Sequence, residues 1–389
     1  MMGSGIAYAS ILQGLEVLLI DQNIKAAEAG KAKIEMLLSE SVKRKKLSEE
    51  EKIRLLKKVK TDASLENISS SDLVIEAVFE DLNLKHNLYK KIEPHLKEGA
   101  ILASNTSTLP ITKLSEVLAD STRFLGIHFF SPVDKMNLVE LIRSKKTNDN
   151  ALAVALDYTS LIKKTPIVVN DSRGFYANRC IIPYINEGLR MLSEGIEPAL
   201  IENSAKHIGM PVGPLQLLDE LSVSLALNVA KETKEALGNE YEETGTESIL
   251  LEMSQKNRLG RKELAGFYEY DDKGRRLKLW EGLRDLNGVS KPANITTETV
   301  KNRLAYVQAL EAARALEEKI LLSVEEGDVG GILGWGCLIW AGGPFSWLDY
   351  VGHENVVAEC QKLFDQYGAR FAPPKVIKEL ANNGRKFYN

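Results

Sequence analysis

The sequence predicts an α/β domain with a mainly parallel sheet, followed by two related all-α domains. Residues 1–172 alternate short apolar runs with helical stretches, which is typical of strands joined by crossover helices. After this point the pattern changes to long helices. The helical part then repeats itself, so we place the domains at 1–172, 173–285 and 286–389.

The strands and helices of the first domain follow from these patterns. Strands are predicted over 17–20, 72–78, 101–104, 124–127, 139–142 and 166–169. Helices are predicted over 24–46, 84–92 and 150–163. A further helix begins at Ser48, and Glu51 stands at the position of its capping-box partner.

The repeat in the second half preserves residue types at fixed offsets. The first copy contains Asn178, Arg179, Glu187 and Arg190, then Gly213-Pro214 and Asp219; the second contains Asn302, Arg303, Glu311 and Arg314, then Gly343-Pro344 and Asp349. This indicates two helical units of one design that pack against each other. The segment between them, 258–292, is polar and is predicted to be a linker or loop.

Composition excludes several classes of function. The 389 residues are 44% hydrophobic and 27% charged, with a net charge of -4, which argues against a nucleic-acid-binding role. The three cysteines are far apart and no histidine pair has ligand spacing, so we predict no metal site and a reducing compartment. The apolar runs are too short to span a bilayer, and the N-terminus does not resemble a signal peptide.

The N-terminal residues resemble the second half of a dinucleotide-binding fingerprint. Met2, Gly3 and the small residues after them open a helix, and an acid, Asp21, follows at a strand end. Such a helix start favours a pyrophosphate, and Asp21 would bind ribose hydroxyls. Because Gln22 is not the arginine expected for a 2′-phosphate, we expect NAD rather than NADP. The fold class is therefore a Rossmann-type NAD-binding domain with its first strand missing, and we expect either a longer chain or another element to fill that place.

A histidine and a glutamate on two predicted strands are the candidate catalytic pair. His128 follows an apolar run, and Glu140 lies within the next strand. If the strands are neighbours, Glu140 would fix the tautomer of His128 and raise the basicity of its other ring nitrogen. That arrangement is a general base for an alcohol proton. A core histidine bonded to a nearby carbonyl is the alternative.

Several motifs in this order resemble the 3-hydroxyacyl-CoA dehydrogenases, specifically the dehydrogenase portion of bacterial multifunctional fatty-acid β-oxidation proteins. They are MGSGIA at 2–7, VFEDLNLK at 78–85, ASNTSTLPI at 103–111, HFFSPVDKMNLVEL at 128–141 and NDSRGFYANR at 170–179. The resemblance implies NAD-dependent oxidation of L-3-hydroxyacyl-CoA to 3-oxoacyl-CoA. His128 would be the base, oriented by Glu140.

The resemblance also implies roles for other residues. Ser107 and Asn178 would contact the acyl-CoA near the reacting carbon and assist catalysis. The positions that would contact the cofactor are Met2, Gly3, Asp21, Val78, Glu80, Lys85 and Ser131. The basic cluster with Lys43 and Lys46 would meet the coenzyme A phosphates, although a solvated helix end explains it equally well.

The family implies an upstream enoyl-CoA hydratase domain, a thiolase partner and a cytoplasmic location in a bacterium, or a mitochondrial or peroxisomal one in a eukaryote. The isolated chain would be a monomer or dimer, because two helical units can pair internally. Two alternatives stay open: a truncated, non-catalytic assembly module, and a dehydrogenase of a small hydroxy acid on the same scaffold. Two positions depart from the family pattern. Ser131 replaces the usual asparagine, and GCLIW at 336–340 replaces Gly-Phe-Pro-Pro-Phe.

Overall fold

The computed structural model describes residues 2–238, 245–286 and 295–388. The chain forms two compact units. The first contains Met1–Asn178 and Glu318–Gly334, and the second contains Arg179–Glu317 and Trp335–Asn389. Residues 318–334, which the repeat assigns to the second helical domain, thus lie in the first unit. The domain boundaries at 172 and 285 were drawn from the sequence repeat, and they stay a prediction.

The helices and strands follow the predicted order. In the first half they are α1 Met2–Leu12, β1 Val17–Ile20, α2 Ile24–Lys43, α3 Glu49–Leu56, β2 Val59–Asp62, β3 Leu73–Glu76, α4 Leu82–Ile92, β4 Ile101–Ser104, α5 Ile111–Ser115, β5 Phe124–Phe129, β6 Leu138–Arg143, α6 Asp149–Leu161 and β7 Thr165–Asn170. In the second they are α7 Ala177–Ser193, α8 Pro198–His207, α9 Pro214–Leu221, α10 Val223–Leu237, α11 Glu247–Gln255, β8 Tyr268–Tyr270, β9 Arg276–Leu279, α12 Thr297–Glu317, α13 Val324–Trp335, α14 Pro344–Val351, α15 His353–Tyr367 and α16 Lys375–Asn383.

The strands of the first unit form two sheets. One pairs β1 with β2 in parallel, and the other has the order β3-β4-β5-β6-β7. Every pair in the larger sheet is parallel except β5–β6. β6 runs antiparallel because the segment between these strands is too short for a crossover helix. The Rossmann-type, mainly parallel domain followed by helices is confirmed.

Helix α1 packs against both sheets. It is apolar on all sides, and most of its side chains are buried. Ile6 belongs to the hydrophobic cluster of the larger sheet, with Leu125 and Leu141. Ile11 belongs to a separate cluster with Val59 of the smaller sheet. A doubly wound sheet places its first strand between β1 and β3; among the described residues these two strands do not pair with each other.

The two helical copies make reciprocal ion pairs within the second unit. Arg179 of the first copy lies 2.5 Å from Glu311 of the second. Arg303 of the second lies 2.6 Å from Glu187 of the first. An exchange of equivalent partners is the signature of a two-fold, isologous interface. These contacts support the proposal of a duplicated unit.

A second contact repeats in both copies. The Asp219 carboxylate accepts hydrogen bonds from the backbone N–H groups of Phe267 and Tyr268. The Asp349 carboxylate accepts the same two bonds from a later Phe-Tyr pair, 387–388. Each aspartate therefore fixes a distant Phe-Tyr segment of its own copy.

The expectation of a linker at 258–292 is wrong for the part that forms the β8–β9 hairpin. The phenols of Tyr268 and Tyr270 donate to the buried carboxylates of Glu202 and Asp219. The alternation Tyr-Glu-Tyr thus carries two rings into the core, and the polar composition around it concealed this strand. Residues 287–292 lie outside the described part. No helix of the described ranges has the length and apolarity needed to cross a bilayer.

Candidate active site

His128 and Glu140 lie opposite each other on β5 and β6. Nδ1 of His128 donates to Oε2 of Glu140 over 2.7 Å, and both side chains are buried. We assign the hydrogen to Nδ1 from this bond, since a carboxylate only accepts. Nε2 is then left as the acceptor nitrogen of the neutral ring, and it has no hydrogen-bond partner among the described residues.

The second oxygen of Glu140 is held by the start of helix α7. Oε1 accepts hydrogen bonds from the backbone N–H of Tyr176 at 3.1 Å and of Ala177 at 2.9 Å. The N-terminus of a helix favours negative charge, and its first N–H groups have no partner within the helix. The carboxylate therefore satisfies them and is oriented by them.

This arrangement depends on an unusual turn before α7. Gly174 and Phe175 both have positive φ, 73° and 52°. A left-handed conformation in a bulky residue costs about 1–3 kcal/mol. The Phe175 side chain is fully buried, with its ring centroid 5.9 Å from that of His128. Packing against the histidine accordingly offsets part of the cost of the turn.

Ser107 and Asn178 are brought together by the turn after β4. Nδ2 of Asn178 donates to the Ser107 carbonyl over 2.8 Å. The turn is fixed from its other side by Glu80, whose Oε1 accepts hydrogen bonds from the backbone N–H groups of Ser107 and Thr108. No hydrogen-bond partner of the Ser107 hydroxyl or of Asn178 Oδ1 lies within the described ranges.

Glu80 lies at the exposed edge of a charge cluster in which Lys85 and Glu76 are buried. Nζ of Lys85 lies 2.7 Å from Oε1 of Glu76 and 3.3 Å from Oε2 of Glu80. Burial tends to raise the pKa of Glu80, but the Lys85 charge and the bonds from the 106–108 turn hold it below its usual value. The Lys85 side chain is only 1% exposed. It stabilises this turn through its ion pair with Glu80. Its cofactor contact stays a prediction.

The remaining predicted cofactor residues lie at strand ends and at the start of α1. Asp21 follows β1 and is exposed, and Val78 follows β3 and is 40% exposed. Met2 and Gly3 open α1, and a Cβ on Gly3 would meet nothing within 4 Å. The close contact is at Gly5, where a Cβ would lie 3.0 Å from Val133. Ser131 is exposed in the β5–β6 loop.

These features fit a dinucleotide. An exposed carboxylate at a strand end can accept hydrogen bonds from ribose hydroxyls, and the open backbone at Gly3 leaves room for a phosphate at the helix start. Lys43 and Lys46 are exposed at the end of α2, where they also complement the helix dipole. Among the described residues no group of three His, Cys, Asp or Glu side chains could hold a metal ion.

The sequence did not predict the contributions of Phe175, Tyr176 and Ala177. A glycine at 174, just before a helix, is a signal that could have indicated a special turn, but nothing in the residue types shows that backbone N–H groups face Glu140.

A Rossmann-type domain with a buried His–Glu pair beside its strand ends defines a nucleotide-dependent oxidoreductase. Residues 1–172 match the NAD-binding domain of 3-hydroxyacyl-CoA dehydrogenase, and residues 174–270 match its C-terminal domain. The chain belongs to the 3-hydroxyacyl-CoA dehydrogenase family. It is an oxidoreductase, and its cofactor is NAD.

Solved structures agree with this assignment. The (S)-3-hydroxybutyryl-CoA dehydrogenase from Ralstonia eutropha is 36% identical over 69% of this chain and 95% of that chain, with a TM-score of 0.65. The dehydrogenase part of multifunctional enzyme 1 from C. elegans is 27% identical over 97% of this chain and 86% of that one, with a TM-score of 0.68. The 3-hydroxybutyryl-CoA dehydrogenase from Escherichia coli K12, at 23% identity, shows the likeness of fold over 98% of this chain and 96% of that one, with a TM-score of 0.84.

Proposed function

We propose that the chain oxidises L-3-hydroxyacyl-CoA to 3-oxoacyl-CoA, with His128 as general base. The observation that carries this proposal is the 2.7 Å bond from His128 Nδ1 to Glu140. It leaves Nε2 as the ring atom that can take the hydroxyl proton. NAD, when bound, accepts the hydride.

Glu140 stabilises the positive charge that His128 acquires. The backbone N–H groups of Tyr176 and Ala177 keep the carboxylate in place on its other oxygen. Acid–base catalysis by such a positioned pair contributes roughly 10²–10⁴-fold. Because both side chains are buried, water competes little for these bonds.

Ser107 and Asn178 act on the oxygen that becomes a carbonyl. One hydrogen of Asn178 Nδ2 is donated to the Ser107 carbonyl, so the side chain is held at a fixed position beside the 106–108 turn, and the second hydrogen can reach the substrate oxygen. The Ser107 hydroxyl can donate to the substrate oxygen. Donors fixed before the reaction stabilise developing charge without reorganisation.

We propose that the cofactor site is lined by Met2, Gly3, Asp21, Val78, Glu80, Lys85 and Ser131. Glu80 fixes the turn beside it, and Lys85 holds Glu80 in place. The exposed lysines 43 and 46 are proposed for the coenzyme A phosphates. A place in fatty-acid β-oxidation, with a thiolase and an enoyl-CoA hydratase as partners, belongs to the same proposal.

The test replaces His128 by Gln, which keeps size and polarity but cannot carry the proton. We expect acetoacetyl-CoA reduction by NADH to fall by about 10²–10⁴-fold. NADH binding, measured by calorimetry with and without acetoacetyl-CoA, should stay within about threefold of wild type. Normal turnover in a variant that binds both ligands would refute the proposed base. Failure of the wild type to bind NADH would instead favour the non-catalytic assembly module.

A further inference from the structure

Tyr176 lies between the proposed catalytic carboxylate and a helix from much later in the chain. Its backbone N–H donates to Glu140 Oε1 at 3.1 Å. Its phenol donates to the Gly327 carbonyl of α13 at 2.9 Å. The side chain is fully buried. One residue thus connects α13 to the group that orients His128.

Residues 319–334 are fixed to the edge of the larger sheet. The backbone N–H of Val168 donates to Oε1 of Glu326 at 3.0 Å, and that of Asn170 to the Ile320 carbonyl at 2.8 Å. Val169 forms a bridge with Leu321. The segment therefore covers β7, the strand next to the one that carries Glu140.

Helix α13 approaches Tyr176 closely because of Gly330. A Cβ at this position would lie 2.8 Å from Ile167 Cδ1 and 3.0 Å from Tyr176 Cε1. Ile167 is the β7 partner of Glu140 in the sheet register. The tyrosine ring is accordingly held by packing on α13 as well as by the hydrogen bond to Gly327.

We infer that Tyr176 is a positioning residue for the proposed reaction: α13 holds its phenol, and its backbone N–H thereby keeps Glu140 aligned with His128. The inference rests on the proposed function of the His128–Glu140 pair. It gives the segment 318–334, which follows the second-copy helix α12, a role in the site of the first unit. Weakening the contact at Gly327 would let the start of α7 shift, and the Nδ1–Oε2 bond would lengthen.

The test compares Tyr176→Phe with Asn170→Ala in the full chain. Phe keeps the ring and removes the hydroxyl that donates to Gly327. Asn170→Ala removes another bond of the same segment, from Asn170 Nδ2 to the Lys319 carbonyl. This bond lies three residues along β7 from the partner of Glu140, roughly 10 Å away.

Two readouts are needed. The first is kcat for acetoacetyl-CoA reduction, which should fall about five- to tenfold in Tyr176→Phe, as expected for one lost buried hydrogen bond. The KM for NADH should not change. The second is the downfield proton NMR resonance of the His128 Nδ1–H, assigned by its loss in His128→Gln. In Tyr176→Phe it should move upfield and exchange faster with solvent. Asn170→Ala should change neither readout.

A Gly330→Ala variant disturbs the same contact from α13, and Gly334→Ala is its matched control. A Cβ on Gly334 would meet Leu138 Cδ2 at 2.9 Å, a similar overlap that leaves the Tyr176 ring untouched. Only Gly330→Ala should reproduce the changes seen in Tyr176→Phe. Equal effects of the two alanines on the resonance would contradict the inference.

The outcomes separate the inference from the function on which it rests. If the wild type does not turn over, the proposed function fails, and the resonance alone decides the role of Tyr176. An unchanged resonance and unchanged kcat in Tyr176→Phe overturn the inference. So does the absence of a His128 resonance in the wild type, because Glu140 would then not hold the ring.

Discussion

The two helical copies begin with the same residues but use them differently. In the first copy, Asn178 donates to the carbonyl of Ser107, in the turn after β4. In the second, Asn302 donates to the Glu359 carboxylate of α15, 2.9 Å away. The arginine that follows each asparagine forms an ion pair with the other copy. The arginines thus share one role, and the asparagines do not.

This difference separates the contacts that both copies of a duplicated unit make from those that one copy makes. The contacts that join the copies depend on both of them and are present twice. The contact with the 106–108 turn is made by the first copy only, through Asn178. The position of a residue in the repeat therefore predicts its contacts with the other copy. Whether the asparagine belongs to the proposed site depends on the element next to it.

The reciprocal arginines give the largest expected effect on stability. Arg303 and its partner Glu187 have fully buried side chains, whereas Arg179 and Glu311 are 18% and 14% exposed. Arg303 binds both Glu187 and Glu194, and charge-assisted hydrogen bonds contribute about 1.5–3 kcal/mol each. Its removal should therefore cost about 3–5 kcal/mol, although Glu187 keeps its ion pairs with Arg190 and Arg370. Arg303→Met should reduce the free energy of unfolding by about that amount, measured by urea denaturation.

Arg179→Met is the matched variant at the equivalent position. Because water reaches this pair, we expect a smaller loss of unfolding free energy than in Arg303→Met. Equal losses would mean that the two-fold contact is energetically symmetric despite the difference in burial. A larger loss in Arg179→Met would contradict the account.

The equivalent aspartates of the two copies, Asp219 and Asp349, lead to a pH-dependent prediction with a smaller expected effect on stability. Asp219 also accepts a bond from Tyr270, whereas Asp349 lies 3.2 Å from Nε2 of His353. Burial raises the pKa of Asp219 from 3.8 to about 6, although the Phe267 and Tyr268 N–H groups oppose this shift. Between these pH values the folded state binds more protons than the unfolded state. The contribution of Asp219 to the free energy of unfolding is thus fully present below about pH 4. It is lost as the pH rises through about 6, by up to about 3 kcal/mol.

Thermal unfolding at several pH values checks this expectation. The difference in stability between wild type and Asp219→Asn should change between pH 4 and pH 6. Asp271→Asn is the control, because hydrogen bonds from Arg275 lower the pKa of this partly exposed carboxyl, which takes it out of that window. A constant difference for Asp219→Asn would show that its carboxyl ionises normally.

Much of the fold could be predicted from the sequence. The strands at 17–20 and 101–104 agree with their predicted bounds, and the capping box of Ser48 and Glu51 is present. These elements have strong local signals: continuous apolar runs and a capping pattern. The strand β2 was missed because Val59–Asp62 has only one fully buried side chain.

The candidate site could be predicted only where side chains carry it. His128 and Glu140 were expected on adjacent strands because the residue types fit a general base. The groups that orient Glu140 are backbone N–H groups of Tyr176 and Ala177, and any residue except proline supplies such a donor. The place of α13 beside Tyr176 depends on contacts between distant parts of the chain, which local patterns do not show.

The most direct test of the account compares Asn178→Ala with Asn302→Ala in acetoacetyl-CoA reduction by NADH. We expect Asn178→Ala to lower kcat by about 10²–10³-fold, as for the loss of one donor to the developing oxyanion. Asn302→Ala should keep the wild-type kcat and lose only about 1 kcal/mol of stability. Similar kcat values for the two variants would contradict the claim that only the first copy serves the active site.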